Sequence, residues 1–368
     1  MKESNLNKAL KRVELAIRRV FMSSLQFRSR FRKDQKHPIL PLQLPDDPTI
    51  LFLRQDRLGD AIISTPVINE LYKKYPDAHF IMLLGENNLG IAELLPINCE
   101  VVVYQKKPVA DLIMLRKLRK RNIDVLIDLI DNPSSTSSIL TAAISAHYSI
   151  GIEKANSTSY NITVPLIDRA KFHIARRIAE LLRPFGIDPE SISLRPQLKD
   201  IPTERIEGRL GLVISAGAAN RYVPVHINAE IAKGIIEADY ASEVIILFHP
   251  KDRKLADEII SRTADSRIHL APATHNFSEY ARQLKTCEFV ISPDTSALHL
   301  CSAYGIPVLG LYAPFPPELH YWTPIGVPYQ MIISKPSLES LEVSNVIEHF
   351  QKLIEKVKHP VLETTIAQ

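Results

Sequence analysis

Four polar residues near the carboxyl end of the chain have the types and spacing of a ligand site. They follow an apolar run within residues 288–313, and they are Asp294, Thr295, Ser296 and His299. The first three are residue types that commonly begin a helix. A helix N-terminus at the carboxyl end of a parallel strand presents free N–H groups and a positive dipole, which suit a diphosphate. We favour a ligand site over simple capping because His299 can reach back toward the same helix end.

A second charged turn follows the first apolar run, at residues 54–60, and reads Arg-Gln-Asp-Arg-Leu-Gly-Asp. Asp60 is placed to cap the next helix, with Arg57 as an ion-pair partner. Alternatively, Asp60 accepts a proton from a substrate hydroxyl, because burial in a cleft raises the pKa of a carboxyl group. The loop alone leaves both interpretations open.

The elements that must position these residues alternate between strand and helix from residue 49 onward. In the first series, the predicted strands are Ile50–Leu53, His79–Leu84, Glu100–Tyr104, Asp124–Ile130, Tyr148–Ile152 and Ile162–Val164. The helices are Ala61–Tyr75, Asp111–Arg121, Ser134–Ala146 and Phe172–Pro184. In the second series, the strands are Leu210–Ser215, Glu243–Phe248, Arg267–Leu270, Phe289–Ser292 and Val308–Tyr312. Its helices are Ile227–Ala238, Arg253–Arg262, Phe277–Thr286, one beginning beside Ser296, and residues 338–357.

Two such series predict an α/β chain with two doubly wound parallel sheets that face a cleft. We divide the chain into an arm and linker (1–48), a first domain (49–203), a second domain (204–336), and a C-terminal helix and tail (337–368).

Asp128 and Asp131 lie at the end of the fourth predicted strand, where they could line the cleft. The favoured interpretation is that both are loop acids that face solvent.

Composition excludes several classes of protein. The 368 residues, 45% of them hydrophobic, can form two cores. Three cysteines at unrelated spacings fit neither a disulfide framework nor a zinc site, which favours a reducing compartment. The histidines show no metal-binding spacing, and glycine-rich dinucleotide and P-loop motifs are missing.

The basic charge is concentrated in the N-terminal arm. The chain has 45 Lys and Arg and 41 Asp and Glu, of which residues 1–36 hold 11 and 3. The remainder therefore has a net charge of −4, which disfavours nucleic-acid binding. Apolar residues at helical spacing make the arm a basic amphipathic helix, suited to an anionic membrane surface or to packing on protein. Proline residues predict an extended linker over 37–48.

Together, the two motifs resemble a known family. The pattern Arg-x-Asp-Arg-x-Gly-Asp, followed by Ser-Thr-Pro, and the later Pro-Asp-Thr-Ser-x-x-His are similar to motifs of the lipopolysaccharide heptosyltransferases. The similarity runs over residues 49–330, with one motif in each domain. It implies the GT-B fold, with two Rossmann-like domains, and a cytoplasmic enzyme acting at the inner membrane.

The resemblance also implies the chemistry. It implies inverting, metal-independent transfer of a heptose from ADP-heptose to a hydroxyl of the lipopolysaccharide core, with no cofactor. Asp60 matches the family's proposed general base, and Arg54 and Arg57 are assigned to the acceptor side. The residues matching the donor site are Asp294, Thr295, Ser296 and His299. The implied partners are a nucleotide-sugar donor and a lipid-linked glycan acceptor.

This sequence departs from the family pattern mainly on the donor side. Arg221 stands where the family has a lysine, and its planar guanidinium is not equivalent to an ammonium. Val223 replaces a tryptophan, and Ser296 replaces a glycine. Asp252 occupies the place of a glutamate near the nucleotide. These departures bear on the choice of donor more than on the fold.

Three alternatives follow from the same residues. One is transfer of another nucleotide-activated sugar onto a cell-surface glycan. The second is a non-catalytic relative that binds nucleotide sugars, and the third is a nucleotide-sugar epimerase on the same architecture.

Overall fold

A computed structural model describes residues 39–316 and 319–359, and it contains two α/β domains. The basic arm therefore lies outside the described residues. Residues 39–48 form neither helix nor strand, as the linker prediction requires. The linker nevertheless packs on the first domain, where Leu42 is buried and its N–H donates to the carbonyl of Pro184 at 2.8 Å.

The first domain is a six-stranded parallel sheet with helices on both faces. Its strands are β1 (Thr49–Arg54), β2 (His79–Gly85), β3 (Glu100–Tyr104), β4 (Val125–Asp128), β5 (Tyr148–Ile152) and β6 (Ile162–Val164). Its helices are α1 (Leu58–Ile63), α2 (Thr65–Lys74), α3 (Pro108–Arg119), α4 (Ser135–Ile144) and α5 (Ile174–Ala179). Two longer 3₁₀ segments, Glu86–Leu94 and Glu180–Phe185, complete it.

The strand order β3-β2-β1-β4-β5-β6 places β1 in the middle of this sheet. Residues 50–54 of β1 are buried, because an all-parallel sheet is covered on both faces. β1 pairs with β4, and Leu53 lies opposite Asp128. The turn after β1 and the turn after β4 are therefore neighbours at the carboxyl edge of the sheet.

The second domain repeats this architecture. Its strands are β7 (Arg209–Val213), β8 (Glu243–Leu247), β9 (Ile268–Leu270), β10 (Phe289–Pro293), β11 (Val308–Tyr312) and β12 (Tyr329–Ile333). Its helices are α6 (Val225–Glu237), α7 (Arg253–Thr263), α8 (Phe277–Lys285), α9 (Ser296–Tyr304) and α10 (Val343–Lys358). The order β12-β11-β10-β7-β8-β9 makes β7 and β10 central neighbours, so the turns after them converge. The predicted pair of doubly wound sheets is confirmed.

The two domains contact each other through α1 and α9. A Cβ added at Gly59 would lie 3.0 Å from Cδ2 of His299, so a larger residue here would push the imidazole away from α1. The segment that connects the domains also contacts α9, where the Arg195 side chain donates to the carbonyl of Ser302 at 2.8 Å. The two loops with candidate chemistry are thereby held on facing sides of one cleft.

The structure differs from the sequence predictions in two helices and one strand. The helix predicted over Phe172–Pro184 is α5 followed by the 3₁₀ segment Glu180–Phe185. The single helix predicted over Ala61–Tyr75 is two helices, α1 and α2, that meet at Ser64. Pro66 has no N–H to continue the α1 ladder, and the Thr65 hydroxyl donates to the Ile62 carbonyl at 2.7 Å in its place. The edge strand β12 was not predicted, because prolines precede it and its apolar run is interrupted by Gln330.

The C-terminal helix α10 packs on the second domain. Val346, Phe350 and Leu353 are buried in its core, and the helix contacts β11, β12 and α6. Within residues 39–316 and 319–359, no helix has both the length and the apolar character needed to cross a bilayer.

Candidate active site

Asp60 lies at the carboxyl edge of the first sheet, in the first turn of α1. The N-cap of this helix is Arg57, so the prediction that Asp60 caps the helix is wrong. The helix begins two residues before Asp60, which leaves its carboxylate free for other contacts. Only 6% of Asp60 is exposed, and its Oδ1 lies 3.3 Å from Nη2 of Arg54.

Arg54 lies behind Asp60 and holds it in position. The arginine is 1% exposed, and its Nη1 donates to the carbonyl of Leu129 after β4 at 2.7 Å. The same Nη1 is 3.5 Å from Oδ2 of Asp56. The Asn88 side chain fixes this turn by donating to the Arg54 carbonyl at 2.6 Å. Because Arg54 is covered by protein, its role is to hold Asp60 in position. Of the two arginines predicted for the acceptor side, Arg57 is the exposed one.

The environment of Asp60 suits a proton acceptor. Burial raises its pKa from 3.8 to about 6, and the negative charges of Asp56 and Asp131 act in the same direction. The cations Arg54 and Arg57 oppose this rise and lower the pKa. A carboxylate with a pKa near the working pH combines ionisation with useful basicity.

The facing side of the cleft is built around Asp294, at the end of β10. Nη1 of Arg221 lies 3.0 Å from Oδ2 of Asp294 and donates to the Asp294 carbonyl at 3.0 Å. Burial raises the pKa of Asp294, whereas Arg221 and Arg57 lower it. The charge of Arg57 acts on both Asp60 and Asp294, so the two domains share one electrostatic site.

Thr295 is the N-cap of α9. Its Oγ1 accepts from the N–H of Ala297 at 3.3 Å and lies 3.2 Å from Oγ of Ser292. Ser296 is the first residue of the helix and is half-buried. Because Thr295 supplies the cap, Asp294 is free for its contact with Arg221. The first N–H groups of α9 and the guanidinium of Arg221 then form a concentration of positive charge.

His299 lies at the contact between the domains. It is 3% exposed, and burial together with the Arg221 charge lowers its pKa to about 4. The imidazole is therefore neutral at neutral pH. Its ring centroid is 6.4 Å from that of Trp322, which supports a packing role for the tryptophan. His299 reaches the predicted cleft, where it meets Gly59 of the first domain.

Asp252 belongs to the same side of the site through Tyr222. The Tyr222 hydroxyl donates to Oδ2 of Asp252 at 3.1 Å, and Tyr222 directly follows Arg221. A Cβ added at Gly217, in the loop after β7, would meet nothing within 4 Å, so this loop borders open space. Val223 is buried, which leaves packing as its role in place of aromatic stacking.

Asp131, which the sequence placed after the fourth strand, is buried beside Asp60 and contributes to its electrostatic environment. It is 4% exposed, and its Oδ2 accepts from Nη2 of Arg177 at 2.9 Å. Arg169 donates to the Asp131 carbonyl at 2.7 Å, and its own carbonyl accepts from the N–H of His320 in the second domain at 2.8 Å. The favoured interpretation of Asp131 as a solvent-facing acid is therefore wrong. Its arginine partners lie 38 and 46 residues away, beyond the reach of local pattern.

Asp128 is likewise buried, in a network inside the first domain. Its Oδ2 accepts from Nζ of Lys154 at 2.8 Å and from the hydroxyl of Tyr160, and Oδ1 accepts from the hydroxyl of Ser137 at 3.3 Å. The solvent-facing interpretation is wrong for this residue also. The central position of β4 in the sheet covers both faces of the strand, so the carboxylate requires buried partners.

A second histidine lies beside the site. His173 accepts from the N–H of Ala175 through Nδ1, and its ring centroid is 6.0 Å from that of His320. Burial, together with neighbouring positive charge such as that of Arg177, lowers the pKa of His173 to about 3. His173 and His299 therefore add no charge near Asp60 at neutral pH. In the part of the chain that the structure describes, no group of three or more His, Cys, Asp or Glu side chains could hold a metal ion.

Comparison with known proteins gives a consistent set of relatives. A crystal structure of a family 9 glycosyltransferase from Veillonella parvula superposes with a TM-score of 0.70 at 19% identity, covering 85% of this chain and 99% of that one. The E. coli heptosyltransferase WaaC with ADP gives a TM-score of 0.68 at 16% identity, covering 83% and 99%. The lipopolysaccharide core heptosyltransferase OpsX of Haemophilus influenzae is 23% identical over 296 residues, which are 74% of this chain and 81% of OpsX.

The family model for glycosyltransferase family 9 (heptosyltransferase) matches residues 112–349, which is more than half of the chain. The matched range contains Arg221, Asp252, Asp294 and His299 of the second domain. The resemblance inferred from the two motifs is therefore confirmed: the protein is a glycosyltransferase, and it belongs to family 9, the heptosyltransferase family.

Proposed function

We propose that this enzyme transfers a heptose from ADP-heptose to a hydroxyl of the lipopolysaccharide core, with inversion at the anomeric carbon and without a metal ion. The single observation that carries the proposal is Asp60, a buried carboxylate with a pKa near 6 that faces the Arg221–Asp294 pair across the cleft. The named relatives support the substrate class, because WaaC was solved with ADP and OpsX is a core heptosyltransferase.

In this mechanism, Asp60 accepts the proton of the acceptor hydroxyl as its oxygen attacks the anomeric carbon. The bond between that carbon and the β-phosphate oxygen breaks, and ADP departs from the opposite face of the sugar, so the configuration inverts. Protonated Asp60 then releases its proton to solvent. Arg221 and the first N–H groups of α9 stabilise the negative charge that develops on the leaving diphosphate.

Two alternative functions make different predictions about nucleotide preference or about the state of Asp60. A transferase of another nucleotide sugar would retain Asp60 but prefer UDP or GDP. A non-catalytic relative would have no need of a buried, destabilised carboxylate in the cleft, so the raised pKa of Asp60 favours catalysis.

We also propose that the enzyme works on the cytoplasmic face of the inner membrane, where the basic arm contacts the anionic surface. The arm lies outside the described residues.

Calorimetric titration tests the donor side. We expect ADP to bind more tightly than UDP or GDP, and Arg221→Gln to weaken ADP binding by at least about tenfold, because a charge-assisted contact to phosphate is lost. Arg262→Gln, on the exposed face of α7, is the matched control and should bind ADP as the unaltered protein does. A preference for UDP or GDP would show that the donor is a UDP-sugar or GDP-sugar and not ADP-heptose. Failure to bind any of these nucleotides would contradict the proposal.

The pH dependence of transfer tests the base. We expect log kcat/KM to fall by about one unit per pH unit below about pH 6, because protonated Asp60 cannot accept the acceptor proton. His173 and His299, with pKa values of about 3 and about 4, are neutral at pH 6, so neither histidine accounts for this fall. Transfer that stays constant from neutral pH down to about pH 4 would contradict the role of Asp60.

A further inference from the structure

Helix α3 of the first domain exposes apolar side chains that a helix normally buries. Val109 is 73% exposed, Leu112 is 48% exposed and Ile113 is 49% exposed. All three lie within five residues, in the first half of the helix. The helix is held to the sheet by other residues, chiefly the buried Leu118 and the half-buried Met114 and Leu115. A concentrated apolar surface of this kind marks an interaction site more often than scattered exposed residues do.

Cations surround this apolar surface. They are Lys106 and Lys107 before the helix and Arg116, Lys117, Arg119, Lys120 and Arg121 at its end. Lys107 pairs with Glu86 at 3.5 Å, and Arg121 pairs with Glu100. The other five make no ion pair with any carboxylate of the described residues. The cations are local to this helix, since the chain beyond residue 36 has an excess of acidic residues.

A groove adjoins the helix on the side of the edge strand β3. Its volume is about 400 Å³, and it is lined by Val101, Val102, Ile113, Met114, Lys117 and Arg121 among others. The walls are therefore largely aliphatic, and the charged lining residues are Lys117 and the ion pair of Arg121 with Glu100. This is the arrangement that suits an acyl chain below a phosphate head group.

The position of α3 relates this surface to the active site. The helix begins directly after the carboxyl end of β3, and Asp60 follows the carboxyl end of β1 in the same sheet. The apolar half of α3 therefore lies near the sheet edge that carries Asp60. The helix packs on the opposite face of the sheet from α1, so its outer side is directed away from the second domain.

We propose that α3 and its groove dock the enzyme on an anionic lipid bilayer. The unpaired lysines and arginines contact the phosphate head groups, and Val109, Leu112 and Ile113 enter the boundary with the acyl chains. Charge complementarity selects this occupant over the alternatives within the chain. The N-terminal arm has a net charge of +8, and it would meet the cations of α3 unfavourably. A symmetric dimer through α3 would place like charges against each other.

Vesicle binding by the full chain tests the proposal without any sugar transfer. We expect co-sedimentation with vesicles of phosphatidylglycerol and phosphatidylcholine in equal parts, and far less with phosphatidylcholine alone. Val109→Ser/Leu112→Ser/Ile113→Ser should lower the partition coefficient by at least about tenfold, since aliphatic contact is lost. Arg116→Glu/Lys120→Glu should lower it by roughly 30-fold or more, since each cation near an anionic leaflet contributes about 1 kcal/mol, or about fivefold.

The matched control reverses the same number of charges elsewhere. Lys254→Glu/Arg262→Glu changes the exposed face of α7 in the second domain and should leave vesicle binding within about twofold of the unaltered protein. Arg18→Glu/Arg19→Glu reports the contribution of the arm in the same assay. Unchanged binding by both α3 variants, with loss only in the arm variant, would overturn the proposal. A change of oligomeric state in the α3 variants, with vesicle binding retained, would assign the surface to a second copy and would also overturn it.

Discussion

The Asp60→Asn variant is expected to lose transfer activity by about 10²–10⁴-fold, while ADP binding stays within about twofold of the unaltered protein. Asparagine fits the same space but cannot accept the proton of the acceptor hydroxyl. Asp60 lies on the acceptor side of the cleft, and the Arg221–Asp294 pair is on the donor side, so the nucleotide contacts are preserved. Transfer rates and calorimetric titration with ADP measure the two effects separately.

Asp56→Asn is the matched control for this variant. Asp56 is a carboxylate of the same loop, and its Oδ2 lies 3.5 Å from the same Arg54 guanidinium that contacts Asp60. It is more exposed, with a side chain that is 30% accessible, and the proposed mechanism gives it no proton transfer. We expect its activity to stay within a few-fold of the unaltered protein. Equal losses in both variants would show that the loop needs its total charge and that Asp60 has no distinct role.

The same Asp60→Asn substitution is expected to stabilise the fold at neutral pH. Burial raises the Asp60 pKa from 3.8 to about 6, so the ionised carboxylate destabilises the folded protein by roughly 3 kcal/mol when it is fully charged. This penalty is missing below about pH 4, grows as the pH rises, and is complete above about pH 6. Thermal unfolding of the two proteins should therefore differ at neutral pH and converge in acid. A stability difference of this kind is expected when a group kept for catalysis, here the proposed base Asp60, destabilises the fold.

The second large effect concerns stability. Lys154→Met is expected to lower the free energy of unfolding by about 3–5 kcal/mol, because it leaves the buried Asp128 carboxylate without its cation. Both side chains are at most 1% exposed, so water cannot replace the lost contact. The tyrosine and serine hydroxyls that remain on Asp128 offer hydrogen bonds but no charge. Denaturant unfolding at neutral pH measures the change.

A double variant separates the ion pair from the shape of the site. Asp128→Asn/Lys154→Met removes both charges and is expected to recover most of the stability that Lys154→Met loses, since buried pairs are often replaceable by neutral groups. Arg262→Met breaks an exposed pair with Glu258 at 2.8 Å and should change stability by less than about 1 kcal/mol. A double variant as unstable as the single one would show that the polar contacts of Lys154, including its bond to the Ile130 carbonyl, matter more than charge balance.

The sequence contained enough information to predict the architecture. Each strand of the two sheets except β12 appears as a short apolar run, because a parallel sheet covered on both faces selects aliphatic residues throughout. The candidate site residues lie in the turns at the ends of β1 and β10, since the carboxyl ends of parallel strands are the edge where loops meet a ligand. Asp60, Asp294, Thr295 and His299 could therefore be named from local pattern and motif spacing alone.

Tertiary structure decided how these residues behave. Asp60 is not a helix cap, because α1 begins two residues earlier. Its pKa is raised because the carboxylate is buried and because Asp56 and Asp131 add negative charge around it. Arg54 is a support behind Asp60 and not an acceptor contact, since it is buried and the carbonyl of Leu129, just after the neighbouring strand β4, holds its guanidinium. Asp131 and Leu129 are distant from this turn in sequence, so sequence spacing does not specify these contacts. They depend on which strands become neighbours, and the pKa of a group depends on everything that surrounds it in three dimensions.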